Sequence, residues 1–205
     1  MSNLRFREYY KRRLPHIQIP GATYFVTFRL KDSLPLKILE QLAQDTEKIN
    51  GLPLELQESG HRRWFGRFDD ILDRCLAGEQ FLTNEQVRAI VTDALRRRDG
   101  SIYHLLAFCI MPNHVHVVFT PLEKLNGSYH SLTEILHSLK RNSAKQANLC
   151  LGRSGPFWQD ESYDHFVRDE SELDRIIKYV LYNPVKAGLV PEWTDWPGTY
   201  SKFPY

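Results

Sequence analysis

The run Ile102-Tyr-His-Leu-Leu-Ala-Phe-Cys-Ile-Met-Pro-Asn-His-Val-His-Val-Val-Phe-Thr120 decides how this chain folds. Two stretches rich in β-branched and aromatic residues flank Met111-Pro112-Asn113, and proline followed by asparagine favours a tight reversal. The run therefore predicts an antiparallel hairpin, residues 102–110 against 114–120. Within the second strand the period of two puts His114, His116 and Val118 on one face and Val115, Val117 and Phe119 on the other. Two neighbouring imidazoles on a stiff strand can offer two nitrogens to one cation and leave other positions open for substrate oxygens. The same pattern also fits two histidines that are simply hydrogen-bonded within an apolar strand.

Working outward, residues 22–30 alternate Tyr24, Val26, Phe28 and Leu30 with Phe25, Thr27 and Arg29 after the turn residues Pro20 and Gly21, which predicts a central strand. Ile38, Leu39 and Leu42 give residues 35–49 a helical face, ended by Asn50-Gly51-Leu52-Pro53. Residues 51–83 read as an insertion, with a polar stretch at 55–63, a short helical pattern at 68–76 and a turn at Gly78. A helix follows over 83–98, with Thr83 as cap and Val87, Ile90, Val91 and Leu95 at helical spacing. Residues 131–149 are helical along Leu132, Ile135, Leu136, Leu139 and Ser143. Residues 156–167 are a candidate strand, and 170–182 form the last helix, with Asn183-Pro184 as its stop.

This last helix carries the second chemical signal. At about 100° per residue, Leu173, Ile176, Ile177, Val180 and Leu181 define an apolar face. Tyr179 and Asn183 fall together on its flank, while Tyr182 points nearly opposite. A helix packed on the sheet by that face would bring the Tyr179 phenol and the Asn183 amide to the edge where the two histidines lie. A core-flanking tyrosine and a helix-capping asparagine would read the same way.

The 205 residues suffice for one core and predict a single domain, 1–205. Apolar residues at 42%, aromatics at 12% and charged residues at 25% exclude a disordered or fibrous chain. No apolar run approaches the roughly 20 residues that span a bilayer, and the first residues lack the apolar core of a secretion signal, so a cytoplasmic protein with no membrane partner is expected. Cys75, Cys109 and Cys150 show no C-x-x-C spacing, which argues against a disulfide framework or zinc ribbon. A net charge of +2 is too small to indicate a partner by itself. The charge is uneven, however. An N-terminal arm at 1–16 carries Arg5, Arg7, Lys11, Arg12 and Arg13 interleaved with Phe6, Tyr9 and Tyr10, a composition that suits phosphates and bases and equally suits a solvated terminus.

Met111-Pro112-Asn113-His114-Val115-His116 together with Tyr179-Val-Leu-Tyr-Asn183-Pro184-Val185-Lys186-Ala187-Gly188 resembles the REP-associated tyrosine transposases, within the single-tyrosine HUH transposases. The similarity runs from Tyr24-Phe25-Val26-Thr27 through Phe157-Trp158-Gln159 and His165 to Leu189-Val190, and omits the insertion. It implies an α+β fold: a ferredoxin-like or RRM-like antiparallel sheet with packed helices and a helical insertion. It also implies that His114 and His116 are metal ligands, Tyr179 the nucleophile and Asn183 a third polar ligand, in a position that is glutamine in some relatives. The implied enzyme is metal-dependent, with Mg²⁺ or Mn²⁺. It cleaves single-stranded or hairpin REP-like DNA through a covalent 5′-phosphotyrosine and rejoins strands as a monomer or homodimer.

A phenol is a poor nucleophile at neutral pH because its ordinary pKa is about 10, and a divalent cation beside it stabilises the phenolate. Lys140, Arg141 and Lys145 lie off the apolar stripe of their helix and can meet phosphates or form a solvated face. Trp158 is a candidate base-stacking surface or a core residue, and Gln159, His165, Arg168 and Lys186 complete the candidate DNA contacts. The readings in competition are a non-catalytic, sequence-specific nucleic-acid-binding regulator on the same fold, a relaxase-like nickase, and a metal nuclease that uses water.

Overall fold

The protein is described by a computed structural model covering residues 9–11, 15–17, 19–74 and 77–205. In chain order these form β1 (Tyr9–Lys11), β2 (Pro15–Ile17), β3 (Tyr24–Leu30), α1 (Leu36–Asn50), α2 (Leu54–Asp73), α3 (Glu85–Arg96), β4 (Tyr103–Ile110), β5 (His114–Pro121), α4 (Leu132–Cys150), β6 (Trp158–Phe166), α5 (Glu170–Lys186) and β7 (Thr199–Ser201). The arginines Arg5, Arg7, Arg12 and Arg13 of the N-terminal arm lie outside the described residues.

Strands β3 to β7 build one five-stranded antiparallel sheet in the order β6-β3-β5-β4-β7. The 102–120 hairpin forms as expected, closed by the Met111 amide donating to the His114 carbonyl at 2.9 Å. Strand β3 is interior, between β5 and β6, which accounts for apolar residues on both of its faces.

Helices cover both sides of the sheet. Val26, Phe28, Val115, Val117 and Phe119 on one side meet Val87, Val91 and Leu95 of α3 and Leu132, Ile135 and Leu139 of α4. On the other, Phe25, Ala107, Cys109 and Val118 meet Ile177, Val180 and Leu181 of α5. A third cluster packs α1 and α2 together through Leu42, Ile49, Trp64, Phe68 and Leu72. Phe65 and Tyr163 of β6 stack with ring centroids 3.8 Å apart, and Phe65 also meets Phe25 of β3 edge-on at 5.5 Å. The α1–α2 pair therefore lies on the α5 side of the sheet. This is the expected α+β fold with a helical insertion.

Three local expectations are corrected. The insertion is not a polar stretch followed by a short helix. It is one 20-residue helix, because Glu55, Ser59, Arg62 and Arg63 form the solvent side of an amphipathic helix whose apolar stripe continues to Leu72. The cap of α3 is Asn84 rather than Thr83, its side chain accepting from the Gln86 and Val87 amides. Asn183-Pro184 does not end α5. Proline removes only the bond to the carbonyl four residues earlier, and the Ala187 amide donating to the Asn183 carbonyl at 2.9 Å carries the last turn onward.

Candidate metal and tyrosine site

The site is built where β5, α5 and α2 converge. On β5, His114 and His116 are fully buried, and each is oriented by its Nδ1. Asn113 Nδ2 donates to the Leu72 carbonyl at 3.1 Å, which leaves Asn113 Oδ1 facing His114 Nδ1 at 2.7 Å. That oxygen only accepts, so His114 carries its proton on Nδ1 and presents a bare Nε2. His116 Nδ1 is held at 2.8 Å by the Thr27 hydroxyl of β3. The two Nε2 atoms are 3.0 Å apart.

Helix α2 supplies what the sequence reading missed. Trp64, Phe65, Phe68, Asp69, Leu72 and Asp73 recur at helical spacing, so two carboxylates sit within an apolar stripe and enter the interior with it. Asp69 Oδ1 lies 3.4 Å from His116 Nε2, and Asp73 Oδ1 lies 3.6 Å from His114 Nε2. From α5, Asn183 is fully buried, and the half-buried Tyr179 sets its ring 5.7 Å from that of His116, edge-on to Phe25 at 6.0 Å. Lys186 closes the outer side. Its ammonium is 5.7 Å from the centre of the Tyr179 ring, 2.5 Å from Asp70 and 3.6 Å from Asp73.

The electrostatics are those of a site short of positive charge. Burial drives the His114 pKa down to about 3. His116 is lowered well below the ordinary range by burial, with His114 and Lys186 acting the same way. Both imidazoles are therefore neutral near pH 7, the state that ligates metal. Burial first, then the Asp73 charge, pushes the Asp69 carboxyl well up, against the Lys186 ammonium and the Asn183 amide. Burial likewise raises Asp73 to about 6, opposed by Lys186.

Six buried polar atoms, both carboxylate oxygens of Asp69 and of Asp73 and both amide atoms of Asn183, have no hydrogen-bond partner. Unpartnered buried polar groups cost about 1–3 kcal/mol each, and a divalent cation among them would offset that cost. Asp69, His114 and His116 each place a ligand atom within 4.8 Å of the others and can hold such an ion.

The other candidates divide by position. Trp158 is a correction: it is only 6% exposed, edge-on to Phe28, with its indole N–H donating to Ser143, and so belongs to the core rather than to a stacking platform. Arg141 and Lys145 are exposed on α4, across the sheet from the histidines. Lys140 donates to the Gln159 and Asp160 carbonyls and to Ser162, tying α4 to β6. Gln159 lines a cavity of about 590 Å³ beside the site, with Thr27, Arg29, Trp64, Phe68 and Tyr163 among its walls.

His165 and Arg168 both bind Glu172 at the start of α5, at 3.1 and 2.8 Å. The Arg168 guanidinium, with the Arg168 amide and His165 assisting against burial, holds the Glu172 carboxyl down at about 2. A depressed acid stabilises the fold above its unfolded pKa, and the contribution is lost as pH falls toward the folded value. Glu172→Gln is therefore expected to lower the denaturant midpoint at pH 6, with the gap to the parent protein closing between about pH 4.5 and pH 2.

A family model described as "Transposase IS200 like" matches residues 78–183, and the chain belongs to that transposase family. Among curated relatives, a Haemophilus influenzae protein assigned as a REP-associated tyrosine transposase is 29% identical over 106 residues, which is 49% of this chain and 59% of that protein. The REP-associated tyrosine transposase of Escherichia coli K12 is 26% identical over 95 residues, 46% of this chain and 52% of that one. The chain thus aligns with little more than half the length of these relatives. A solved REP-associated tyrosine transposase bound to a REP hairpin shares the fold, with a TM-score of 0.50 at 20% identity, covering 97% of this chain and 82% of that one. Helix α2 lies outside the family-matched residues. Among the described residues no helix is long and apolar enough to cross a membrane.

Proposed function

We propose that this protein is a metal-dependent DNA strand-transfer enzyme of the single-tyrosine HUH type, acting as one domain in the cytoplasm, with Tyr179 as nucleophile. The observation that carries the reading is the half-buried Tyr179 phenol ring set 5.7 Å from the His116 ring at the edge of a buried group able to hold a cation. His114, His116 and Asp69 would hold the ion, with Asn183 alongside. The imidazoles suit a transition metal such as Mn²⁺, and the carboxylate together with phosphate chemistry would also suit Mg²⁺. When bound, the ion would withdraw charge from a phosphodiester and from the phenolate.

The chain's own residues do the rest. Asn113 and Thr27 fix the imidazoles, Phe25 holds the Tyr179 ring edge-on, and Lys186 offers a cation beside both phenol and phosphate. The Tyr179 oxygen attacks phosphorus, the P–O3′ bond breaks, and the electron pair leaves on O3′. The proton lost by the phenol is balanced by one gained at the new 3′-hydroxyl. The downstream strand stays on Tyr179 as a 5′-phosphotyrosine, and attack by a second 3′-hydroxyl reverses the step and joins strands, so no nucleotide cofactor is consumed. The substrate class, by the relatives, is REP-like hairpin DNA with single-stranded flanks. The basic arm, Lys186 and the exposed Arg141 and Lys145 are the candidate phosphate contacts, and the cavity beside Gln159 has room for an unpaired base.

A hairpin oligonucleotide labelled at its 3′ end should co-migrate with the denatured protein, while a 5′-labelled one should release a free fragment. Chelation should abolish both and added Mn²⁺ restore them. Tight hairpin binding with no cleavage under any divalent metal would favour the non-catalytic regulator instead.

A further inference from the structure

Asp73 is not needed to complete the cation site. Two imidazoles, Asp69 and Asn183 already offer four donors, and a site that does chemistry keeps a position open for substrate. Yet Asp73 spans the remaining gap: Oδ1 is 3.6 Å from His114 Nε2 and Oδ2 is 3.6 Å from Lys186 Nζ. Neither oxygen has a hydrogen-bond partner, although its side chain is only 8% exposed. An anion with two oxygens, one beside the cation position that the bare His114 Nε2 faces and one toward the ammonium, has the outline of a phosphodiester's two non-bridging oxygens. It is poorly satisfied where it stands.

From this geometry we infer that Asp73 is a built-in placeholder for the scissile phosphate, and that DNA enters by displacing it together with the C-terminal end of α2. The inference rests on the proposed metal and tyrosine site. It adds that the end of α2 must leave that site before a phosphate can take its place. Asp69 and Asp73 are consecutive inward positions on one helix, so retaining the first while expelling the second requires only the helix end from Asp73 to swing, with the Leu72 carbonyl staying on Asn113. Lys186 then exchanges a carboxylate for a phosphate. Asp70, exposed and also paired with Lys186, carries the same charge nearby without occupying the gap.

The test is hairpin DNA affinity, read by fluorescence anisotropy with Mn²⁺ present. It uses full-length protein carrying Tyr179→Phe, so that binding is measured apart from chemistry. Adding Asp73→Ala is expected to tighten binding at least about fivefold, and adding Asp70→Ala less than about twofold. Equal tightening by the two would show a simple charge effect and overturn the placeholder, as would no tightening by Asp73→Ala. No binding by any of the proteins would overturn it together with the function it rests on, whereas adduct formation by the Tyr179 parent with unchanged Asp73→Ala affinity would overturn it alone. Should Asp73→Ala fail to fold, amide exchange over residues 54–73 of the Tyr179→Phe protein decides: faster exchange on adding the hairpin supports displacement, and unchanged or slower exchange contradicts it.

Discussion

Tyr179→Phe is expected to reduce covalent adduct formation with hairpin DNA by at least about a thousandfold, because removing a nucleophile eliminates the step rather than weakening it. Binding should stay within about tenfold, since the change deletes one hydroxyl and at most one hydrogen bond's net worth. The ring contacts that position Tyr179, edge-on with Phe25 and His116, are apolar and survive in phenylalanine, so the fold is not at stake. Denaturing electrophoresis of the adduct and anisotropy of the same labelled hairpin give the two readouts. Tyr182→Phe is the control. Tyr182 is 46% exposed on the far side of α5, and its loss should leave adduct formation unchanged. Adduct formation by Tyr179→Phe at the parent rate would falsify the nucleophile assignment.

The second large effect concerns the metal. Losing an outer-shell partner of a ligating histidine commonly costs about 10- to 100-fold in affinity, so Thr27→Val, which removes the hydroxyl bonded to His116 Nδ1, should fall in that range. His116→Ala removes the ligand itself and should cost more, leaving no measurable Mn²⁺ binding by calorimetry. Asp69→Asn should also weaken Mn²⁺ strongly. It replaces a buried carboxylate, 3.4 Å from His116 Nε2, with a neutral amide of the same shape, so its loss of affinity would mark a lost ligand and not a collapsed fold. Binding should further weaken as pH falls from neutral into the acid range, because ligation needs a deprotonated carboxylate and burial pushes the Asp69 carboxyl well above its ordinary range. The imidazoles, both pushed low by burial, stay neutral through that window and do not set the acid limb. Mn²⁺ affinity unchanged in Asp69→Asn would remove α2 from the metal site.

The histidine pair, Tyr179 and Asn183 were legible in the sequence because each depends on a local period: two along β5 and 3.6 along α5. The pairing of that strand with that helix was legible through the family pattern. The carboxylates of α2 were not. The polar residues of 55–63 hid the start of the helix, and without its full length the stripe of Trp64, Phe65, Phe68 and Leu72 did not stand out. The available signal was an acid pair, Asp69 and Asp73, four residues apart inside that stripe, which in an exposed helix would be unremarked and in a buried one demands a partner. Which partner was not readable locally, because α2 reaches the histidines of β5 only in the folded packing, with Phe65 seated on Phe25 of β3 and Tyr163 of β6. The places of Trp158 and Lys140 were hidden for a similar reason: whether a residue of α4 or β6 is open to solvent depends on how those two elements close against each other, and here they close through Lys140, Ser143 and Trp158 themselves.

One measurement bears most directly on the central claim, that the phenol beside the buried histidines is the one that takes the phosphate. Trypsin cutting after Lys178 and Lys186 releases a peptide, residues 179–186, that holds both Tyr179 and Tyr182. After reaction with hairpin DNA, Mn²⁺ and nuclease trimming, fragmentation of this peptide by mass spectrometry should place the residual nucleotide on Tyr179. A nucleotide on Tyr182 or on another peptide, or DNA cleaved with no nucleotide on the protein, would contradict the account.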